Sequence, residues 1–156
     1  MTMALLPLAA FGLIAAAYDW KTRRIPNWLC MTTTVVGLAM ARIQGTWFDV
    51  GTHALHVTVA LLAGMLFFRL RVVGGGDAKF YAAIAAWFGI ADGAALLVDT
   101  SLAGLLLFLC WVAVRRMMGI PFRIREPSAF DLFPYGIAIS AGALLTAWGH
   151  SFVWVA

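Results

Sequence analysis

The chain has 156 residues, of which 63% are hydrophobic and only 12% are charged. A soluble domain is roughly 45–50% apolar and about a quarter charged. The composition therefore predicts an integral membrane protein and excludes an ordinary soluble fold. With a net charge of +4, the basic residues are expected to set topology and contact anionic lipid headgroups rather than nucleic acid.

Apolar segments predict an all-α, polytopic protein with about six transmembrane helices. The predicted spans are Met3–Tyr18, Trp28–Ile43, His53–Phe68, Ala78–Phe88, Ala94–Val114 and Leu132–Val155. Several are shorter than the roughly 20 residues of a straight span, which indicates local thinning of the bilayer or helix ends buried in protein. Residues 1–156 are expected to form a single domain.

The basic residues predict the topology. Loops 19–27, 69–79 and 115–131 contain every Lys and Arg except Arg42. Because cytoplasmic loops carry an excess of Lys and Arg, these three loops are expected on the cytoplasmic side and both termini outside. No Lys or Arg precedes the first apolar segment, so we expect a retained span rather than a signal peptide.

Neither cysteines nor histidines indicate a metal or a cofactor. Cys30 and Cys110 lie in separate apolar segments, and no Cys-x-x-Cys pair is present. His53 and His56 have a helical spacing, but no third ligand is apparent near them. We therefore expect no metal site and no cofactor.

Two of the seven acidic residues stand out by position. Asp19 and Asp77 each mark a predicted helix boundary on the cytoplasmic side, where the fold could bring them together. Paired carboxylates suit peptide hydrolysis: one ionised aspartate takes a proton from the attacking water, and a protonated partner polarises the scissile carbonyl. By contrast, Asp49, Asp92 and Asp99 are expected to be solvated turn or cap residues near the outer surface.

Asp77 follows three glycines and precedes the fourth span. It is interpreted either as a functional carboxylate beside hydrocarbon or as the N-cap of that span, and the two interpretations are compatible. Gly74, Gly75 and Gly76 are expected to form a loop that presents Asp77 and admits an extended backbone. Asn27 is expected to be the N-cap of the second span.

Three motifs, in this order, resemble the type IV prepilin peptidases, which are intramembrane aspartyl proteases of the Gly-x-Gly-Asp class. Asp19, with basic residues and Ile-Pro-Asn behind it, follows span one. Gly74-Gly75-Gly76-Asp77-Ala78-Lys79 precedes span four, and Phe133-Pro134-Tyr135-Gly136 opens span six. The resemblance covers essentially the whole chain in order and spacing.

The resemblance implies that Asp19 and Asp77 are the catalytic pair of a multi-pass peptidase in a bacterial inner membrane. Its substrate would be a prepilin or pseudopilin, cut at the cytoplasmic face after a glycine, between a short basic leader and an apolar helix. The other motif residues become candidates for the active-site loop and for substrate binding: Gly74, Gly75, Gly76, Lys79, Arg24, Asn27, Pro134, Tyr135 and Gly136.

The chain differs in two ways from the larger members of the family that it resembles. Those members carry an inner domain with two Cys-x-x-Cys pairs and also methylate the new N-terminus; no such pair occurs here, so N-methyltransferase activity is not expected. Ile137 stands where the larger relatives place another proline. Both features are similar to the short peptidases of Flp/Tad pilus systems.

Two other functions remain open from the sequence: a small proton-coupled transporter and a non-catalytic membrane assembly factor. The oligomeric state is not indicated. If Asp19 and Asp77 form a pair, the helix dipoles favour negative charge on Asp77, which opens a helix, over Asp19, which follows the end of one. On this basis Asp77 is expected to be ionised and Asp19 to hold the proton.

Overall fold

The computed structural model describes residues 2–119 and 135–153, with side chains over residues 4–119 and 135–149. This part of the chain is helical and contains no strand, which confirms the predicted all-α class. Its α-helices are α1 (Thr2–Thr22), α2 (Asn27–Gln44), α3 (Trp47–Arg69), α4 (Gly75–Ala85), α5 (Gly93–Met117) and α6 (Tyr135–Val153). A short 3₁₀ helix, Ile90–Asp92, joins α4 to α5.

Three segments of the described chain are long and apolar enough to cross a membrane: Ala4–Thr22, Trp47–Arg69 and Ile90–Met117. A shorter apolar helix covers Tyr135–Gly149. The protein is therefore a polytopic membrane protein. The predicted fourth span, Ala78–Phe88, is observed as Gly75–Ala85. Residues 132–134 and 154–155 of the predicted sixth span lie outside the described residues.

Helix α4 is too short to cross a bilayer alone. Its 11 residues rise about 16 Å, roughly half of a hydrocarbon core about 30 Å thick. The carbonyl groups at its end would lack partners in hydrocarbon, and side chains from α3 supply them. His53 Nδ1 donates to the Ala86 carbonyl at 2.8 Å, and His56 Nδ1 donates to the Phe88 carbonyl at 3.0 Å. The helical spacing of these histidines thus serves the end of α4.

Small residues let α6 pack closely between α1 and α5. A Cβ on Gly12 of α1 would lie 3.2 Å from Ser140 Cβ, and Gly142 leaves no room for a Cβ against Thr100 of α5. Such close approaches are typical of helices packed in membranes. They fix the position of α6, whose first turn contributes to the site described below.

The expectation that Asp99 is a solvated turn residue is wrong. Asp99 lies inside α5, and its Oδ2 is 2.7 Å from the Thr146 hydroxyl of α6. Thr146 is buried, so this contact is an interhelical hydrogen bond inside the bundle. This hydrogen bond joins α5 and α6 in addition to the close packing of Gly142 against Thr100.

Candidate functional site

The two aspartates that the sequence singles out lie at one end of the bundle, where α1 and α3 end and α4 and α6 begin. We call this the basic end, because Arg23 and Arg24, which follow α1, and Arg71, which follows α3, lie there. Asp19 is in the last turn of α1 and is 5% exposed. Its Oδ2 accepts a hydrogen bond of 2.9 Å from the backbone N–H of Gly136, in the first turn of α6. An N–H group at a helix start has no partner within its own helix, so a carboxylate is a favourable acceptor for it.

Gly136 leaves space for the Asp19 carboxylate. A Cβ at position 136 would lie 3.0 Å from Asp19 Oδ2 and 3.0 Å from Ile25 Cδ1. Both contacts are closer than side chains normally make, so a larger residue at 136 would displace either Asp19 or the start of α6. The requirement for glycine here is steric.

Helix α1 ends in an unusual way just after Asp19. Arg23 has a left-handed backbone conformation, with φ 53°, and its N–H donates to the Asp19 carbonyl at 3.0 Å. Glycine is the usual residue in such a C-terminal cap, and a non-glycine residue costs about 1–2 kcal/mol there. Arg71, with φ 59°, ends α3 in the same way. Sequence reasoning missed both, since arginine gives no signal for this conformation.

Asp77 occupies the third position of α4, and the expectation that it caps the helix is wrong. Gly74 is the N-cap, without a side-chain hydrogen bond, and Gly75 is the first helical residue. Gly75 and Gly76 therefore belong to the first turn of α4 rather than to a loop. Asp77 still lies within the positive end of the helix dipole.

Gly74 acts on Asp77 through its lack of a side chain. A Cβ at position 74 would lie 2.8 Å from Asp77 Oδ2, so the carboxylate packs directly over this glycine. Gly74 has φ −66° and ψ 143°, a conformation open to any residue. By contrast, a Cβ on Gly76 would meet, within the described part of the chain, only the Ile25 nitrogen, at an ordinary 3.7 Å.

The fold brings the two carboxylates close enough to interact. Burial, and then the negative charge of Asp19, raise the pKa of Asp77 from 3.8 to about 6. Interacting carboxylates do not ionise together readily, so the pair keeps a proton up to about pH 6.

The hydrogen bonds of the two carboxylates favour the opposite assignment of that proton. Burial favours the protonated form of both, but Asp19 accepts the Gly136 N–H, which favours its ionised form. The dipole of α4 acts in the opposite direction, by about 0.3–1 kcal/mol at an exposed site and up to about 2 kcal/mol at a partly buried one.

Lys79 and Asn27 form a separate contact. Lys79 Nζ donates to Asn27 Oδ1 at 3.2 Å and so links the starts of α4 and α2. The expectation that Asn27 is an N-cap is wrong: Pro26 is the N-cap, and Asn27 is the first helical residue. Arg24 is exposed, with its backbone carbonyl accepting from Thr22. Pro134 lies outside the described residues.

Tyr135 lies beside Asp77 at the start of α6. Both line a cavity of about 480 Å³ that also includes Tyr81, one helical turn after Asp77 on α4. Tyr81 was missed by sequence reasoning, although an i, i+4 spacing from a singled-out aspartate was available as a signal. Asp77 thus lines this cavity, whereas Asp19 does not.

The comparison with protein families decides the class of this protein. Residues 6–109 match the model of the type IV leader peptidase family, and this range includes both aspartates. The chain belongs to that family. Neither the curated proteins nor the solved structures give a match to it. The match confirms the family that the sequence motifs predicted. Membership of this family implies that the protein is a peptidase.

Proposed function

We propose that this leader peptidase is an aspartyl endopeptidase that uses Asp19 and Asp77 as its catalytic pair. The observation that carries the proposal is the meeting of these two carboxylates at the basic end, with Asp19 raising the pKa of Asp77. They come from separate helices, and each has a glycine that leaves room for it. A purely structural role for either aspartate would not require their proximity.

The arrangement supports a balanced hydrolysis. Ionised Asp19 takes a proton from water as its oxygen attacks the scissile carbonyl carbon, and protonated Asp77 gives its proton to the carbonyl oxygen. In the resulting gem-diol, Asp77 takes back a proton from a hydroxyl group while Asp19 gives its proton to the departing nitrogen. The C–N bond breaks, leaving a carboxylic acid and an amine.

The proposed substrates are prepilins or pseudopilins, cut after a glycine at the junction of a short basic leader and an apolar helix. The family match supports a leader peptide as the target. The distribution of basic residues supports cleavage at the cytoplasmic face of a bacterial inner membrane. The absence of Cys-x-x-Cys pairs supports a peptidase of the short Flp/Tad type without methyltransferase activity.

The test is cleavage of a candidate prepilin by the protein reconstituted in liposomes. Asp19→Asn and Asp77→Asn should each abolish cleavage, because each removes one half of the proton exchange. Asp49→Asn, which changes a carboxylate in the first turn of α3 at the opposite end, is the matched control and should retain activity. Cleavage that survives both dyad substitutions would overturn the aspartyl mechanism.

A further inference from the structure

The cavity beside Asp77 is a groove between α3 and α5. Among the described residues these two helices make at most marginal contact, and α4 and α6 lie between them. The walls and the floor are mainly apolar, with Val59 and Ala63 from α3, Ala94 and Leu97 from α5, and Tyr81 and Ile139 from α4 and α6. Because Val59 and Leu97 are exposed on its walls, the groove is open at the surface, and its apolar lining favours contact with lipid or an apolar partner.

Asp77 lies at one end of this groove, and His56 and Gly93 lie at the other. The floor follows α4, so its length is about 16 Å, or some three turns of a helix laid along it. Among the residues that the structure describes, Asp77 is the only acidic one that lines the groove. At the other end of the groove, His56 Nδ1 already donates to the Phe88 carbonyl, so this nitrogen does not need a charged ligand as its partner.

We propose that this groove holds the apolar helix that follows the scissile bond of the substrate; the inference rests on the proposed function. A helix is about 10–12 Å across, so the groove takes the side chains of one face and leaves the opposite face in lipid. Asp77 then meets the peptide bond that precedes this helix. Asp19 is buried and does not line the groove, so its contact with the substrate is confined to the scissile bond.

Lipid is the competing occupant, and the position of Asp77 argues against it. A groove reserved for acyl chains gains nothing from a partly buried carboxylate at one end, because a carboxylate is costly beside hydrocarbon. A substrate helix needs a reacting group there. The apolar lining and the single acid thus fit one ligand, an apolar segment joined to a peptide bond.

Neighbouring residues on the groove walls provide matched pairs for photo-crosslinking. Leu97 lines the groove and Val98 does not, although their exposed fractions are similar, at 58% and 55%. Val59 and Leu62 form a second pair on α3. With p-benzoylphenylalanine at each position in the Asp19→Asn protein, prepilin should crosslink at positions 97 and 59 and not at 98 and 62. Equal crosslinking within both pairs, or adducts with lipid alone, would overturn the proposal.

A second measurement uses two adjacent alanines of α5, both exposed. Ala94 lines the groove and Ala95 does not. Ala94→Trp should raise KM for full-length prepilin about tenfold with little change in kcat, because it blocks binding and leaves the dyad intact. Ala95→Trp should stay within about twofold of wild type. Equal KM values for the two variants would contradict the groove, whereas a wild-type protein that cleaves no prepilin would contradict the proposed function itself.

Discussion

Asp19 and Asp77 lie close together, yet the protein positions them by different means. Asp19 is buried and receives a hydrogen bond from the start of α6. Asp77 faces the groove, and its carboxylate packs over Gly74 without a hydrogen bond to any described residue. One carboxylate is thus fixed and the other retains freedom to turn. The difference suits a pair in which the fixed member directs water and the freer member follows the substrate carbonyl.

The largest expected loss of activity comes from filling the space that Gly136 leaves for the Asp19 carboxylate. Gly136→Val should lower kcat/KM about 100-fold, because a displacement of about 1 Å in a catalytic group has an effect of that size. Gly149→Val is the control on the same helix, since a Cβ at position 149 has no neighbour within 4 Å among the described residues. Both variants should be measured for cleavage and for abundance in the membrane. Equal losses in the two would contradict a specific role for Gly136.

The pH dependence tests which aspartate holds the proton. With Asp77 protonated in the active form and its pKa at about 6, kcat/KM should fall as pH rises through about 6, approaching about tenfold per unit above it. The same raised pKa means that the folded state binds this proton more tightly than the unfolded state. Its stabilising effect is present below pH 3.8 and is lost as pH rises to about 6.

Asp77→Asn separates this effect on stability from catalysis. At pH 7.5 the variant should have a higher Tm in detergent than wild type, because it removes a buried charge. At pH 3.5, where Asp77 is protonated in the folded state and mostly protonated in the unfolded state, the difference should become small. A Tm difference that is independent of pH would contradict the raised pKa of Asp77.

A smaller effect is expected on the Asp77 side of the pair. Gly74→Ala should lower kcat/KM about tenfold, because the new Cβ displaces a short side chain that retains other rotamers. Gly76→Ala, two residues along, should stay within about twofold, since its Cβ makes only an ordinary contact. If Gly76→Ala were the more damaging change, backbone freedom rather than space for the carboxylate would explain the glycines.

The smallest effect is expected from Lys79. Its described partner is Asn27, so Lys79→Met should change kcat/KM by less than about threefold and leave the pH profile unmoved. Asn27→Ala should match it, because both substitutions remove the same exposed hydrogen bond. A shift of the pH profile in Lys79→Met alone would show that the ammonium group acts on Asp77.

The sequence was sufficient to predict the helical membrane fold and the meeting of Asp19 and Asp77, because composition, basic loops and motif order all bear on them. It was not sufficient for the local geometry. Asp77 and Asn27 were expected as helix caps, since their residue types favour that position, but each helix starts at a neighbouring residue. The helix dipoles, which favour a charged Asp77, can be predicted from sequence, whereas the Gly136 hydrogen bond, which favours a charged Asp19, depends on packing.

The hydrogen bonds from His53 and His56 to the end of α4 have a mechanical consequence. They join one wall of the groove, α3, to the helix that carries Asp77. These two hydrogen bonds oppose a change in the spacing between α3 and α4, so the groove wall and the helix that bears the acid are expected to act as one unit when a partner binds.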